Sequence, residues 1–242
     1  MYKKKKIVAI IPARQGSKGI KNKNIVKLNN KPLISYTIGY AQKSKIIDKT
    51  FVSTDGAKIG KISKYYGAEI IDRPKKLATD TATSESALIH SIKYIDKILR
   101  YKFDIIVFLQ ATSPLRKIGE LDKAIKLLID KKLDTVFSSN RYLPFIWKKK
   151  FNKLKPVNFI LSKRKRRQDI FEVNETGSFY INTKKSFLKN KSRFGKKIHN
   201  YDTGYHSMLE IDCIDDLKYI NILLKTVIPK RYKIYLPWMI LI

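Results

Sequence analysis

The sequence predicts a three-layer α/β sandwich on a mainly parallel, doubly wound sheet, and three observations carry that expectation. A continuous β-branched run opens the chain at Ile7-Val-Ala-Ile-Ile-Pro12, the composition that fills a central strand buried on both faces. Short apolar runs then alternate with amphipathic segments as far as residue 139, the rhythm of repeated strand–helix units. With 242 residues, 43% hydrophobic and 11% aromatic, the chain can bury the core that such a sandwich needs, which excludes disordered and peptide-sized folds.

Each element has its own signal. Residues 13–31 are rich in Gly, Asn and Lys and form a loop, and Pro32 stands where a helix begins with Ile34, Ile38 and Ala41 on one face. Thr50 to Thr54 is the second strand, ending on Asp55; Ile59, Ile62 and Tyr66 mark a helix that Gly67 ends, and Ala68 to Ile71 is a short strand. Leu88, Ile92, Ile95 and Leu99 predict a longer helix, and Ile105 to Leu109 a fourth strand. The helix carrying Leu121, Ile125 and Leu128 leads to the strand Thr135-Val-Phe137. Between about residues 140 and 170 the alternation stops, and Pro144, Pro156, lysines and aromatics predict an inserted arm. Strands are expected again at Gly177 to Ile181 and Ser207 to Asp212, then a final helix over Leu217, Ile220 and Leu224. The domain therefore runs over 1–225, with a tail at 226–242. The apolar end of that tail, Ile234 to Ile242, is too short to span a bilayer and is either a strand or plug on the domain or a weak membrane or partner contact. The first apolar run is also too short to span and has no small-residue cleavage site, so a cytoplasmic protein without stable membrane insertion is expected.

The formal net charge is +32, a value that suggests nucleic acid, an acidic membrane surface or a phosphorylated substrate. Only ten of the 52 basic residues are arginine, however, and the lysine excess accompanies abundant isoleucine and asparagine, so solvated lysines account for the bulk charge. Location matters more than the sum. Ligands of open parallel sheets bind beyond the carboxyl ends of the strands, and the first strand delivers Ala13-Arg14-Gln15-Gly16-Ser17-Lys18-Gly19, then Lys23-Asn24. Two glycines let backbone approach a phosphate, backbone N–H groups donate, and Arg14, Lys18 and Lys23 bring positive charge; the alternative is a solvated lysine-rich turn. The spacing fits neither Walker A nor GxGxxG, which excludes a P-loop or dinucleotide-binding reading.

These residues also carry a resemblance. PARQGSKGIKNKN resembles the N-terminal signature of the acylneuraminate cytidylyltransferases, the CMP-sialic acid synthetases. Further blocks follow in the family's order: Val52 to Asp55, Arg73-Pro74 with Leu77 to Ser84, Leu109 to Arg116 (LQATSPLR against the family's LQPTSPLR), and Arg166 to Asp169 with Glu175 to Ile181. The resemblance covers about residues 5 to 225. It implies a cytidylyltransferase that converts CTP and a nine-carbon 2-keto sugar acid to the CMP-sugar and pyrophosphate, as a homodimer sharing the arm. By the same match Arg14 and Lys23 hold the triphosphate and stabilise the leaving group, Ser17, Asn24, Arg73 and Ser84 contact the nucleotide, and Gln110, Arg167 and Tyr180 contact the sugar acid. Arg166 and Arg167 would serve a neighbouring subunit; without the resemblance, Lys163 to Arg167 is a solvated basic turn or a nucleic-acid patch. Two rival functions stand beside this one: a cytidylyltransferase for the eight-carbon acid of lipopolysaccharide cores, which fits ETGSFYI less well, and a basic nucleic-acid-binding protein, for which no recognised motif is present.

A metal site is expected at Glu210-Ile-Asp212, where an alternating strand would set both carboxylates on one face to hold Mg²⁺, with Mn²⁺ a possible substitute. The family usually has Asp where Glu210 stands, which makes Asp212 the primary ligand; the alternative is a pair of acidic caps on the last helix. Cys213, the single cysteine, lacks a histidine partner and is expected to be a core thiol, and it excludes an internal disulfide. His90 is expected to be a surface or packed residue, and with His199 and His206 scattered no zinc cluster is expected.

Overall fold

The structure, a computed structural model, describes residues 1–141, 145–170 and 172–226. The expected strand Ile7–Pro12 (β1) is an interior strand of a seven-stranded sheet. A two-stranded ribbon, Lys27–Leu28 (β2) with Lys31–Pro32 (β3), precedes helix α1, Leu33–Gln42. Then follow β4 (Lys49–Thr54), α2 (Ala57–Tyr65), β5 (Glu69–Asp72), α3 (Ser84–Lys97), β6 (Ile105–Leu109), α4 (Glu120–Asp130) and β7 (Thr135–Asn140). A hairpin of β8 (Trp147–Lys150) and β9 (Lys153–Pro156) stands apart from the sheet. The chain returns through β10 (Asn174–Thr183), α5 (Lys184–Asn190), β11 (Ile198–Asp202) and α6 (Ile214–Thr226).

The sheet order is β11-β7-β10-β6-β1-β4-β5, and β10 alone runs against its neighbours. Its reversal follows from the arm: the chain leaves β7 at the carboxyl edge of the sheet and re-enters at that edge, so the next strand must run back. The amino end of β10 therefore arrives where the parallel strands end, with Phe179 opposite Leu109 and Glu175 opposite Ser139.

Alternation along the central strands fills two layers. Ile7, Ala9, Ile11, Val107 and Leu109 face α1, α2 and α4, whereas Val8, Ile10, Ile106 and Phe108 face α3 and α5. A third cluster joins Leu28, Leu33 and Tyr36 to Leu115, Ile211, Ile220 and Leu224. It buries the second side of α1, so that helix is buried on nearly all faces, and it anchors the chain near residue 211 to the body.

Several expectations need correction. The helix after residue 84 stops at Lys97 and leaves Leu99 outside and exposed. Ser207 to Asp212 is not a strand: Tyr205–Met208 is a 3₁₀ turn, and one bond, Ile211 N–H to the Thr112 carbonyl at 2.9 Å, ties the following segment to the sheet's edge. The sheet position beside β7 is already filled by β11, whose mostly polar sequence Ile-His-Asn-Tyr-Asp carries no clear strand signal. Cys213 is exposed rather than a core thiol, because the apolar anchor in this segment is Ile211, two residues earlier. No helix among the described residues is long and apolar enough to cross a membrane. The tail from 227 onward and Pro144 lie outside the described residues.

Candidate active site

Backbone and side-chain bonds fix the loop after β1 before any ligand is considered. Ala13 N–H bonds the Ser53 carbonyl and Gln15 N–H bonds Asp55 Oδ1, both at 2.9 Å, which ties the loop to the end of β4. Asn24, buried in a short 3₁₀ turn, donates its amide to the Arg14 carbonyl at 2.9 Å. Gly19 has a reason other than the expected phosphate approach: a Cβ there would stand 2.3 Å from the Asp212 carbonyl oxygen. Only glycine lets the loop pass that close to the segment after Ile211. Gly16 has nothing within 4 Å of such a Cβ.

This packing opens a cleft of about 420 Å³ whose walls include seven of the expected site residues: Arg14, Ser17, Lys23, Asn24, Arg73, Ser84 and Asp212. Arg73 is buried, with Nε 3.2 Å from Ser53 Oγ, and desolvation pulls its pKa down to about 10, which leaves it cationic at neutral pH. Ser84 opens α3; Thr83 caps that helix by accepting the Ser86 N–H at 3.2 Å. The cleft thus collects Arg14, Lys18, Lys23, Arg73 and a helix amino terminus, each favourable to an anion. Three of these cations meet carboxylates: Arg14 Nη1 lies 2.6 Å from Asp80, Lys18 Nζ 3.1 Å from the same group, and Lys23 Nζ 2.8 Å from Asp212.

Asp212 also borders a second depression, about 380 Å³, lined by Glu175, Gly177, Tyr180, Glu210 and Asp216 among others. Ile211 is fully buried between the two carboxylates, so Glu210 turns inward and Asp212, with a side chain 68% exposed, turns to the cleft. Burying an isoleucine stabilises that placement by about 2 kcal/mol. The two carboxylates therefore do not share one strand face as expected, although both border this depression. Ser113 Oγ donates to Glu210 at 2.7 Å, yet burial pushes the Glu210 carboxyl above its ordinary range and Asp212 adds to the rise. Gly177 (φ +71°) makes room for this group: a Cβ there would sit 2.8 Å from Glu210 Oε1 and 2.9 Å from Gln110 Nε2. The caps on α6 are not Glu210 and Asp212; Asp216 accepts the N–H groups of Asp212 and Cys213 at 2.9 and 2.8 Å.

Other expected residues stand differently. Tyr180 is 2% exposed, its ring stacked on Phe108 and its hydroxyl bonded to Glu175, so only its rim reaches the depression. Arg166 is exposed and pairs with Asp169 at 2.9 Å; it lines neither hollow, and the side chain of Arg167 lies outside the described residues. His90 is half-buried on α3 beside Tyr94, as a packed residue. No cluster of three or more His, Cys, Asp or Glu suited to a metal occurs among the described residues.

Two participants went unread in the sequence. Asp80 falls inside the Leu77 to Ser84 block, where nothing in the sequence sets it apart as a partner of Arg14. Arg116, at the end of LQATSPLR, is 1% exposed and cationic without a carboxylate hydrogen-bonded to it among the described residues. Its guanidinium donates to Ser178 Oγ, Thr37 Oγ1, and the carbonyls of Gln110 and Ser178 at 2.7–2.9 Å. It stitches the end of β6 to reversed β10, and burial lowers its pKa to about 10.

A cationic cleft at the carboxyl edge of a mainly parallel sheet is the architecture of nucleotide-handling α/β proteins. A family model described as cytidylyltransferase matches residues 8–231, and the chain belongs to that family. It is 36% identical over 217 residues to an N-acylneuraminate cytidylyltransferase of Escherichia coli, covering 86% of this chain and 49% of that one. Over 225 residues it is 29% identical to the post-translational flagellin modification protein B of Campylobacter coli, covering 90% and 95%. The chain spans about half the length of the curated N-acylneuraminate cytidylyltransferases it matches, and nearly all of the Campylobacter protein. Among solved structures, a CMP:2-keto-3-deoxy-manno-octonic acid synthetase complexed with CTP superposes with a TM-score of 0.69 at 14% identity, over 92% of this chain and 100% of that one, a likeness of fold.

Proposed function

We propose that the protein transfers the cytidylyl group of CTP to a nonulosonic, sialic-type 2-keto sugar acid, releasing pyrophosphate, in the cytoplasm and for cell-surface glycan synthesis. The observation that carries this reading is the convergence of Arg14, Lys23, Arg73 and Ser84 on one cleft with Asp212 at its border. The anomeric oxygen of the sugar forms a bond to the α-phosphorus, the bond from that phosphorus to the bridging oxygen breaks, and pyrophosphate leaves with the electron pair while the hydroxyl proton passes to solvent. Charge develops on the leaving oxygens, where Arg14 and Lys23 stabilise it; Ser17, Asn24, Arg73 and Ser84 hold the nucleotide. Gln110, Tyr180 and Arg167 belong to the acceptor side.

The donor set fits a divalent cation. Two carboxylates bordering the second depression, one of them reaching the cleft where a triphosphate would lie, match the preference of Mg²⁺ for one or two carboxylates completed by phosphates and water. Asp212, with Glu210 behind it, would hold Mg²⁺ or Mn²⁺, which when bound supplies further neutralisation of the phosphates.

The names of the relatives favour a nine-carbon acid, whereas the likeness to the octonic acid synthetase concerns the fold. The arm, which exposes Trp147, Leu154, Val157 and Ile160, suits cover by a second copy, and a homodimer belongs to this reading. Pyrophosphate release from CTP with a panel of sialic, legionaminic, pseudaminic and eight-carbon acids tests the proposal: turnover with a nine-carbon acid is expected. Turnover with the eight-carbon acid alone would reassign the substrate, and salt-resistant RNA retention on filters without any turnover would point to the nucleic-acid reading. Sedimentation addresses the dimer; a fully active monomer would return Arg166 and Arg167 to the surface.

A further inference from the structure

Asp80 stands in the loop between the 3₁₀ turn Lys75–Leu77 and α3, four residues before Ser84. Its two oxygens are divided between two cations from a distant part of the chain: Oδ1 faces Arg14 Nη1 at 2.6 Å and Oδ2 faces Lys18 Nζ at 3.1 Å. A bidentate carboxylate bridging two cleft cations has the same donors that a phosphate would engage. We propose that Asp80 is a built-in competitor for the polyphosphate: it orders Arg14 and Lys18 before the nucleotide arrives, yields them to the phosphates of the incoming nucleotide, and recaptures them as pyrophosphate departs. This rests on the cytidylyltransferase reading for the identity of the nucleotide, but the contacts that carry it are independent of which sugar is used.

Charge and exposure favour exchange over a permanent lock. The side chains of Asp80 and Lys18 are 48% and 77% exposed, so each pair is weak and solvent-screened, and a polyphosphate brings several charges against one carboxylate. The contacts with Arg14 and Lys18 hold the Asp80 carboxyl below the usual carboxylate range, which keeps the competitor ionised throughout the neutral range. A residue that only positioned Arg14 would help the anion, whereas a competitor opposes it. The two roles predict opposite signs.

Calorimetric titration of CTP and of inorganic pyrophosphate into the wild-type chain, Asp80→Asn and Asp80→Ala separates them. Loss of the charge should tighten binding of both ligands about threefold to tenfold at low ionic strength, the sum of two exposed pairs, with the gain shrinking as KCl is raised. Both variants should melt with the wild type, since the side chain lies on an exposed loop. Pyrophosphate should also inhibit the Asp80→Asn enzyme at lower concentration, a readout that a purely structural role would not move in that direction. Unchanged or weakened pyrophosphate binding in both folded variants overturns the proposal. A wild-type chain that binds pyrophosphate but not CTP would instead sink the nucleotide reading, and the pyrophosphate titrations would still decide the role of Asp80.

Discussion

The two hollows that share Asp212 are opposites. One side, built by the loop after β1 and the start of α3, brings Arg14, Lys18, Lys23 and Arg73; the other, built by reversed β10 and the segment around Ile211, brings Glu175, Glu210 and Asp216. A chain of net charge +32 thus keeps an acidic depression beside a cationic cleft. Local placement, not total charge, decides what each side can hold. On the cationic side, carboxylates already stand on Arg14, Lys18 and Lys23. The acidic side is supported from beneath by buried Arg116 and Ile211, and Gly177 allows Gln110 and Glu210 to crowd the backbone.

Breaking the cationic side should have the largest effect. Arg14→Ala and Lys23→Ala each remove a charge aimed at the leaving phosphates from a loop outside the core, so turnover should drop about a hundredfold, or about 3 kcal/mol, with the fold retained. Near-normal steady-state rates in both folded variants would refute the assignment.

Cutting the shared residue comes next. Asp212→Asn keeps the size and removes the charge, so turnover should fall at least about tenfold and the Mg²⁺ concentration for half-activity should rise. EDTA should abolish the wild-type rate and Mg²⁺ restore it, while Glu210→Asp should be tolerated. Wild-type metal dependence in Asp212→Asn would leave the cation to the nucleotide alone.

A third substitution separates the two sides mechanically. Gly19→Ala drives a methyl group into the Asp212 carbonyl and should cost about 1–3 kcal/mol in denaturant unfolding, whereas Gly16→Ala, with open space around it, should be close to neutral. Equal effects at the two glycines would mean that the loop does not lie against residue 212.

The smallest effect sharpens the acidic side. The Glu210 carboxyl has a folded pKa above its unfolded value, so the folded state holds the proton more tightly. Its favourable contribution is complete below the unfolded value and is lost as pH rises through the folded one, leaving a buried charge that opposes folding at neutral pH. Glu210→Gln should therefore raise the melting temperature slightly at neutral pH, with the gain vanishing in acid, while weakening metal-dependent turnover. A lower melting temperature at neutral pH would show the carboxylate to be net stabilising.

Sequence alone determined the frame of this protein and most of its cationic side. The strands Ile7–Pro12 and Ile105–Leu109 coincide with their apolar runs because central strands are buried on both faces and admit almost no polar residue. The residues that follow such strands must then sit at the ligand edge, which is why Arg14, Ser17, Lys23 and Asn24 were legible as a group. Tertiary structure decided the rest. The polar edge strand β11 is defined by pairing with β7, and the reversal of β10 by where the arm returns; neither leaves a periodic signal. Glu210 and Asp212 diverge because Ile211 finds a pocket beside α6, in irregular backbone where an apolar alternation had implied a strand. Arg116, Asp80 and the exposure of Cys213 depend on partners 60 or more residues away in the chain or on the anchor beside them, and charge–charge distance of that kind is a property of packing that no local pattern encodes.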